Sequence, residues 1–216
     1  MNVAHPLRGI IPTLDAPVIE ALAATTRPLT GREVNRLAGV GSPRGVQLVL
    51  RRLVAQGLVL AEGRDNAGYY LANREHLAWR ALESLARLRL ALRDRLSQEI
   101  ATWALQPLHA SMFGSAARGD GDSASDIDLL LIRPDAIEPL ERWDERWDEQ
   151  VDRLREDVPK WTGNHCQAFD IGLARLAEHV AAHDPLLDAW LADGLHLSGS
   201  GLRDLIASLP HDAQPR

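Results

Sequence analysis

The stretch Phe113-Gly114-Ser115-Ala116-Ala117-Arg118-Gly119-Asp120-Gly121-Asp122-Ser123-Ala124-Ser125-Asp126-Ile127-Asp128-Leu129 links two apolar runs, Leu108 to Phe113 and Ile127 to Ile132, that read as strands. Glycine and serine directly after a strand let the backbone approach a ligand closely and present amides at a helix start, where a phosphate is stabilised. Asp126 and Asp128 stand two apart where a strand opens, so both carboxylates leave one face, about 6.6 to 6.8 Å apart along the chain. Such a pair suits a shared divalent ion, and hard Mg²⁺ takes its oxygen ligands from a few carboxylates and substrate phosphates. Two other readings of the loop are weaker. Gly119-Asp120-Gly121 with Ala124 meets a loose dinucleotide-binding pattern, but its aspartates would repel a pyrophosphate and no βαβ unit follows. A calcium loop would need a central glycine and a terminal glutamate at spacings this segment lacks. Arg118 either contacts a phosphate or pins an aspartate.

Downstream, Pro139 to Val158 reads as an acidic helix, Gln167 to Leu173 as a strand, and Ala174 to His183 and Pro185 to Ala192 as helices. Trp143 and Trp147 share a helix face and belong in a core. His179 and His183 are four apart, as zinc-binding pairs are, but no glutamate follows His179 and a surface pair is the simpler reading. Cys166 falls at the strand with no catalytic base beside it in sequence.

Upstream, Asp15 reads as the cap of a first helix, with Pro17 just inside it and Val18, Ile19, Leu22 and Ala23 on one face. Thr30 and Glu33 form a capping box for a short second helix that ends at Gly39. Ser42 caps a third, with Pro43 at its first position and Val46, Val49, Leu50, Leu53 and Val54 as its buried stripe. Leu58 to Leu60 and Tyr69 to Leu71 then read as a hairpin around a polar loop. Three helices with a tight turn between the second and third, followed by a hairpin, are the order of a winged helix-turn-helix over residues 1–76. In such a domain the third helix enters the major groove and the wing touches the backbone. Arg44, Gln47, Arg51 and Arg52 lie off its apolar stripe and Arg64 lies at the wing tip, which makes these five the candidate DNA contacts. Leucines and alanines at three-to-four spacing from Leu77 onward predict one long linker helix over 77–105, leaving 106–216 as a second domain.

Composition agrees with two different halves. The net charge is −6, but residues 1–80 carry +4 and residues 81–216 carry −10. A basic N-terminal third on an acidic chain suits a nucleic-acid-binding module joined to something else. Of 24 basic residues only Lys160 is a lysine, in Pro159-Lys160-Trp161, so a Walker-type phosphate loop is excluded. One cysteine excludes an intrachain disulfide and any zinc site built on several thiolates. No apolar window is long enough to span a membrane, and Met1 to Pro12 lacks the features of a secretory signal, so a cytoplasmic protein is expected.

The loop also resembles the signature of the DNA polymerase β-like nucleotidyltransferase superfamily, in particular its minimal branch. The matching residues are Gly114-Ser115, Ala117-Arg118-Gly119 and Ser125-Asp126-Ile127-Asp128-Leu129, and the resemblance covers roughly residues 106 to 198. It implies an α+β domain with a mixed sheet flanked by helices. Gly114, Ser115, Arg118 and Ser125 would bind the nucleotide and Asp126 and Asp128 would hold one or two Mg²⁺ ions. A third carboxylate on a later strand is part of that resemblance, and Asp170 in Gln167-Ala168-Phe169-Asp170-Ile171 is the best match. The activity implied is transfer of a nucleotidyl group from a triphosphate such as ATP to a hydroxyl of a protein, RNA or small molecule. The alternatives are a transcriptional regulator that senses nucleotide without turnover and an antitoxin-like protein that modifies a toxin partner. Duplex DNA, a nucleoside triphosphate and a second copy of the chain are the expected partners.

Overall fold

The computed structural model describes residues 1–63, 68–134 and 140–209, with side chains omitted at 140–142. Two compact units divide the chain, Ala4–Leu88 with Asn2 and Arg89–Arg216 with Met1 and Val3. This division falls inside the stretch expected to be a linker.

The first unit holds helices α1 (Pro6–Ile10) and α2 (Asp15–Ala23), strand β1 (Leu29–Thr30), helices α3 (Gly31–Ala38) and α4 (Pro43–Ala55), strands β2 (Val59–Glu62) and β3 (Tyr69–Ala72), and helix α5 (Trp79–Ala86). The strands form an antiparallel sheet in the order β1-β3-β2. The expected capping box is present: Thr30 Oγ1 accepts from the Glu33 N–H at 3.2 Å and the Glu33 carboxylate accepts from the Thr30 N–H at 2.8 Å. The Thr30 N–H and hydroxyl, both donating to the Glu33 carboxylate, together with Arg27, pull that carboxyl down to about 2. Gly39, with φ at +70°, closes α3 in the left-handed conformation that glycine adopts without strain. Ser42 caps α4, accepting from the Gly45 N–H at 3.1 Å. Val46, Val49, Leu50 and Leu53 of α4 join Val18, Leu22, Val34 and Trp79 in one core. Asp15 lies within the first turn of α2 rather than capping it, and Leu14 takes the cap position.

The single helix expected over 77–105 is two helices, α5 and α6 (Leu88–Ala101), interrupted at Arg87. One continuous apolar period conceals the break because it serves two cores. Leu82 and Leu85 pack with the first unit, while Leu92, Leu96 and Ile100 pack with the second.

The second unit continues with β4 (His109–Phe113), α7 (Gly114–Arg118), β5 (Ile127–Arg133), α8 (Leu140–Thr162), β6 (Cys166–Gly172), α9 (Leu173–Ala181), α10 (Pro185–Asp193), β7 (Leu195–Gly199) and α11 (Leu202–Ala207). Its mixed sheet has the order β6-β5-β4-β7, with β5 and β6 parallel and the other pairs antiparallel. Helix α8 provides the crossover that a parallel pair requires. Alternate residues of β5 point to opposite faces. Ile127, Leu129 and Leu131 meet Trp143, Trp147, Val151 and Leu154 of α8, so both tryptophans are core residues as expected. Leu130 and Ile132 meet Leu176 of α9, Trp190 of α10 and Leu205 of α11 on the other face.

Candidate functional site

Strand β4 delivers the chain to Gly114, which has φ at +69°. A Cβ at Gly114 would lie 2.5 Å from Asp128 Oδ2, so only glycine lets the end of β4 close on that carboxylate. Antiparallel register sets the approach, because Phe113 pairs with Asp128. Asp128 is half-buried at the mouth of β5 and Asp126 is exposed just before it. Burial raises the Asp128 carboxyl above its usual range, the charge of Asp126 raises it further, and Arg118 partly opposes both. Two carboxylates whose charges act on one another favour a cation between them.

A turn holds the approach to Asp126. The Asp122 carboxylate accepts from the Ala124 N–H and the Ser125 hydroxyl, each at 2.9 Å, and Ser125 Oγ accepts from the Asp122 N–H at 2.9 Å. Buried Asn164, just before β6, donates to the Ser125 carbonyl at 2.8 Å. The Ser125 hydroxyl is therefore engaged in ordering the loop. Behind the loop the amides of Gly119, Asp120 and Gly121 converge on the Ser115 carbonyl at 2.9, 3.1 and 3.2 Å. Gly121 also crowds the serine itself, since a Cβ there would lie 3.0 Å from Ser115 Oγ.

Arg118 has two carboxylate partners, Asp193 at 2.6 Å and Asp120 at 3.1 Å, and both raise its pKa. The ion pair that the sequence offered as one reading of Arg118 is therefore present. Arg89 of α6 donates to the Ala117 carbonyl at 2.8 Å, satisfying the end of α7. Sequence reasoning missed Asp193, Arg89 and Asn164. The Gly163-Asn164 turn signal before β6 was the only local pointer to any of them.

Asp170 does not join the pair. In the parallel β5–β6 register Asp128 pairs with Gln167 and Leu131 with Asp170. Asp170 therefore shares the Leu131 face, beneath α8, while Asp128 lies on the opposite face. Its Oδ1 is buried without a hydrogen-bond partner, as is Trp147 Nε1, the polar group turned towards it. Burial raises the Asp170 carboxyl. Exposed Gln167 occupies the β6 position beside Asp128. Among the described residues no group of three or more His, Cys, Asp or Glu side chains is arranged to hold a metal. The donor set of Asp126 and Asp128, two hard carboxylates, nevertheless fits Mg²⁺, which ordinarily completes its shell with water and phosphate oxygens.

Other candidates are placed differently. Burial pushes the Cys166 thiol up to about 12, which makes it a poor nucleophile. His179 Nδ1 lies 2.7 Å from Asp184 Oδ2, and His183 falls beyond the end of α9. In the first unit Arg44 and Arg51 are exposed on α4, Gln47 Nε2 donates to the Tyr70 hydroxyl at 2.7 Å, and Arg52 pairs with Asp15. Arg64 lies outside the described residues.

Residues 92–172 match the family model described as "Nucleotidyltransferase domain". No curated protein matches the chain. Among solved structures the chain is similar to human N-acetylserotonin methyltransferase (ASMT) in complex with SAM, at 20% identity and a TM-score of 0.27. That likeness covers 46% of this chain and 33% of the methyltransferase chain, so the chain spans about a third of that protein's length, and it carries no argument about fold or activity. Among the described residues no helix is long and apolar enough to cross a membrane.

Proposed function

We propose that the second unit binds a nucleoside triphosphate with Mg²⁺ and transfers its nucleotidyl group to a hydroxyl of a protein, RNA or small molecule, and that the first unit is a winged helix-turn-helix that binds duplex DNA. The observation that carries the transferase reading is the closure of Gly114 on Asp128, with Asp126 alongside, inside the segment that matches the nucleotidyltransferase family. Asp126 and Asp128 would hold the metal, which when bound neutralises charge developing on the entering and leaving oxygens. The remaining work belongs to positioning. Gly114 keeps the end of β4 free of side chain so that phosphates can approach the Gly114 and Ser115 amides. The Asp122–Ser125 turn sets Asp126 at the strand mouth, and the Arg118–Asp193 pair braces α7.

Support for the DNA half comes from the order of α2, α3, α4 and the β2–β3 hairpin, together with the +4 charge of residues 1–80. A second reading, nucleotide sensing without turnover, draws on one observation: Gln167, not a carboxylate, stands beside Asp128. Incubation of the purified chain with each α-labelled triphosphate, Mg²⁺ and cell lysate separates the two. Label transferred to an acceptor, and lost with Asp126→Asn, supports the enzyme; triphosphate binding with no transfer to any acceptor supports the sensor.

A further inference from the structure

Helix α4 presents a ridge of mixed chemistry. Its buried stripe is Val46, Val49, Leu50 and Leu53. At about 100° per residue the positions diametrically opposite are Arg44, Leu48, Arg51 and Ala55. The two flanks are occupied, because Gln47 is held by Tyr70 on the hairpin side and Arg52 by Asp15 of α2 on the other. What points outward is therefore arginine, leucine, arginine, with Leu48 59% exposed and neither Arg44 nor Arg51 in an ion pair among the described residues. Leaving a leucine in water forgoes the free energy of burial, and α4 has ample polar residues with which to face solvent.

We propose that Leu48 is a specificity residue that contacts the 5-methyl group of thymine in the major groove, with Arg44 and Arg51 fixing the helix against phosphates or guanine edges on either side. The inference rests on the DNA-binding reading of the first unit and deepens it. The thymine methyl is the one apolar group that base pairs display in the major groove, and it lies between two anionic backbones. An apolar side chain between two exposed cations on one helical ridge matches that arrangement in both chemistry and order. A protein partner would call for a contiguous apolar patch, whereas on this ridge Leu48 stands between charges. Gln47 is correspondingly a bracket between α4 and β3, since its amide already donates to Tyr70.

The test uses the full chain. Duplexes that bind at low salt are enriched from a random-sequence pool, and each thymine of an enriched duplex is replaced in turn by deoxyuridine, which removes only the methyl group. One replacement per half-site should weaken binding by about three- to tenfold, the effect of losing one buried methyl. With Leu48→Ala the same replacement should have less than about twofold effect. Because Leu48 is exposed, the alanine variant is expected to fold, and an unchanged melting temperature checks that. Undiminished discrimination in Leu48→Ala, or no deoxyuridine effect on a bound duplex, overturns the assignment but leaves DNA binding standing. Failure to enrich any duplex overturns both, and loss of self-association in Leu48→Ala would then assign the ridge to a second copy of the chain.

Discussion

Gly114 and Asp128 are in direct contact across the β4–β5 pair: there is no room for even one carbon between the Gly114 Cα and the Asp128 carboxylate, where a Cβ would fall 2.5 Å from Oδ2. The positive φ of Gly114 adds a second constraint, about 1–3 kcal/mol for a residue with a side chain. Gly114→Ala should therefore lower stability and displace Asp128 together. Denaturant titration and triphosphate binding measured side by side check this, and a variant with unchanged stability and unchanged binding would remove the contact from the site.

Asp128 carries a conflict that a ligand would relieve. Burial and then Asp126 raise its pKa, so the folded ligand-free protein disfavours the charged form. The destabilisation is absent below the unfolded carboxyl pKa, grows as pH rises through the folded value, and is complete at neutral pH. Asp128→Asn should thus melt at or above the wild-type temperature at pH 7 without ligand, with the difference shrinking as pH falls into the carboxylate range. Mg²⁺ and ATP together should raise the wild-type melting temperature more than either alone, and the variant should lose that joint shift. A destabilised variant at pH 7, or one that keeps the shift, contradicts this account.

What the sequence made legible was local. Thr30 with Glu33, Ser42 with Pro43, and glycine and serine after an apolar run are each set by neighbours a few residues away, and the structure has the cap or turn expected at each. What was not legible depended on partners distant in the chain. Asp170 was expected beside the aspartate pair, but its face is decided by register against β5 across the 23-residue helix α8, and a shift of one residue exchanges the faces of a strand. Arg87 divides a period that looks continuous because two cores share it. Gln47 and Arg52 looked free on a helical wheel, and their partners Tyr70 and Asp15 lie on other elements. Strand β7 was missed although Leu195 and Leu197 alternate with His196 and Ser198, because five residues after a helix give little period to read.

The face assignment of Asp170 has a direct consequence. Asp170→Asn should leave the affinity for Mg²⁺ with ATP unchanged, whereas Gln167→Asp should add a third carboxylate beside Asp128 and tighten Mn²⁺ binding on the order of tenfold. Calorimetric titration of both variants decides between the two strand positions. Weakened metal binding in Asp170→Asn, with the fold intact, would return that residue to the site.

His109 supplies a test of the sheet's other polar feature, far from any assumption about nucleotide. It is 3% exposed, with Nδ1 2.7 Å from the Ser200 carbonyl and Nε2 2.9 Å from Ser111 Oγ, beside a cavity of about 310 Å³ that Trp190 and His196 also line. A carbonyl can only accept, so Nδ1 carries a proton; Nε2 accepts from the Ser111 hydroxyl when the ring is neutral and donates to it when the ring is charged. Both nitrogens are satisfied in either state, and burial favours the neutral one. Burial lowers its pKa below 6.5, His196 lowers it further, and the Ser200 carbonyl opposes them. Above the unfolded histidine pKa both states are neutral and the shift has no effect on stability. As pH falls below that value the unfolded chain takes up a proton that the folded chain refuses, so stability declines until the folded pKa is reached and then levels. His109→Gln, which cannot take up that proton, should show a shallower loss between pH 7 and pH 5 than the wild type in urea titrations, although its absolute stability will be lower. Parallel pH profiles would mean that His109 is protonated in the fold, and the direction of the Ser111 hydrogen bond would then have to be reversed.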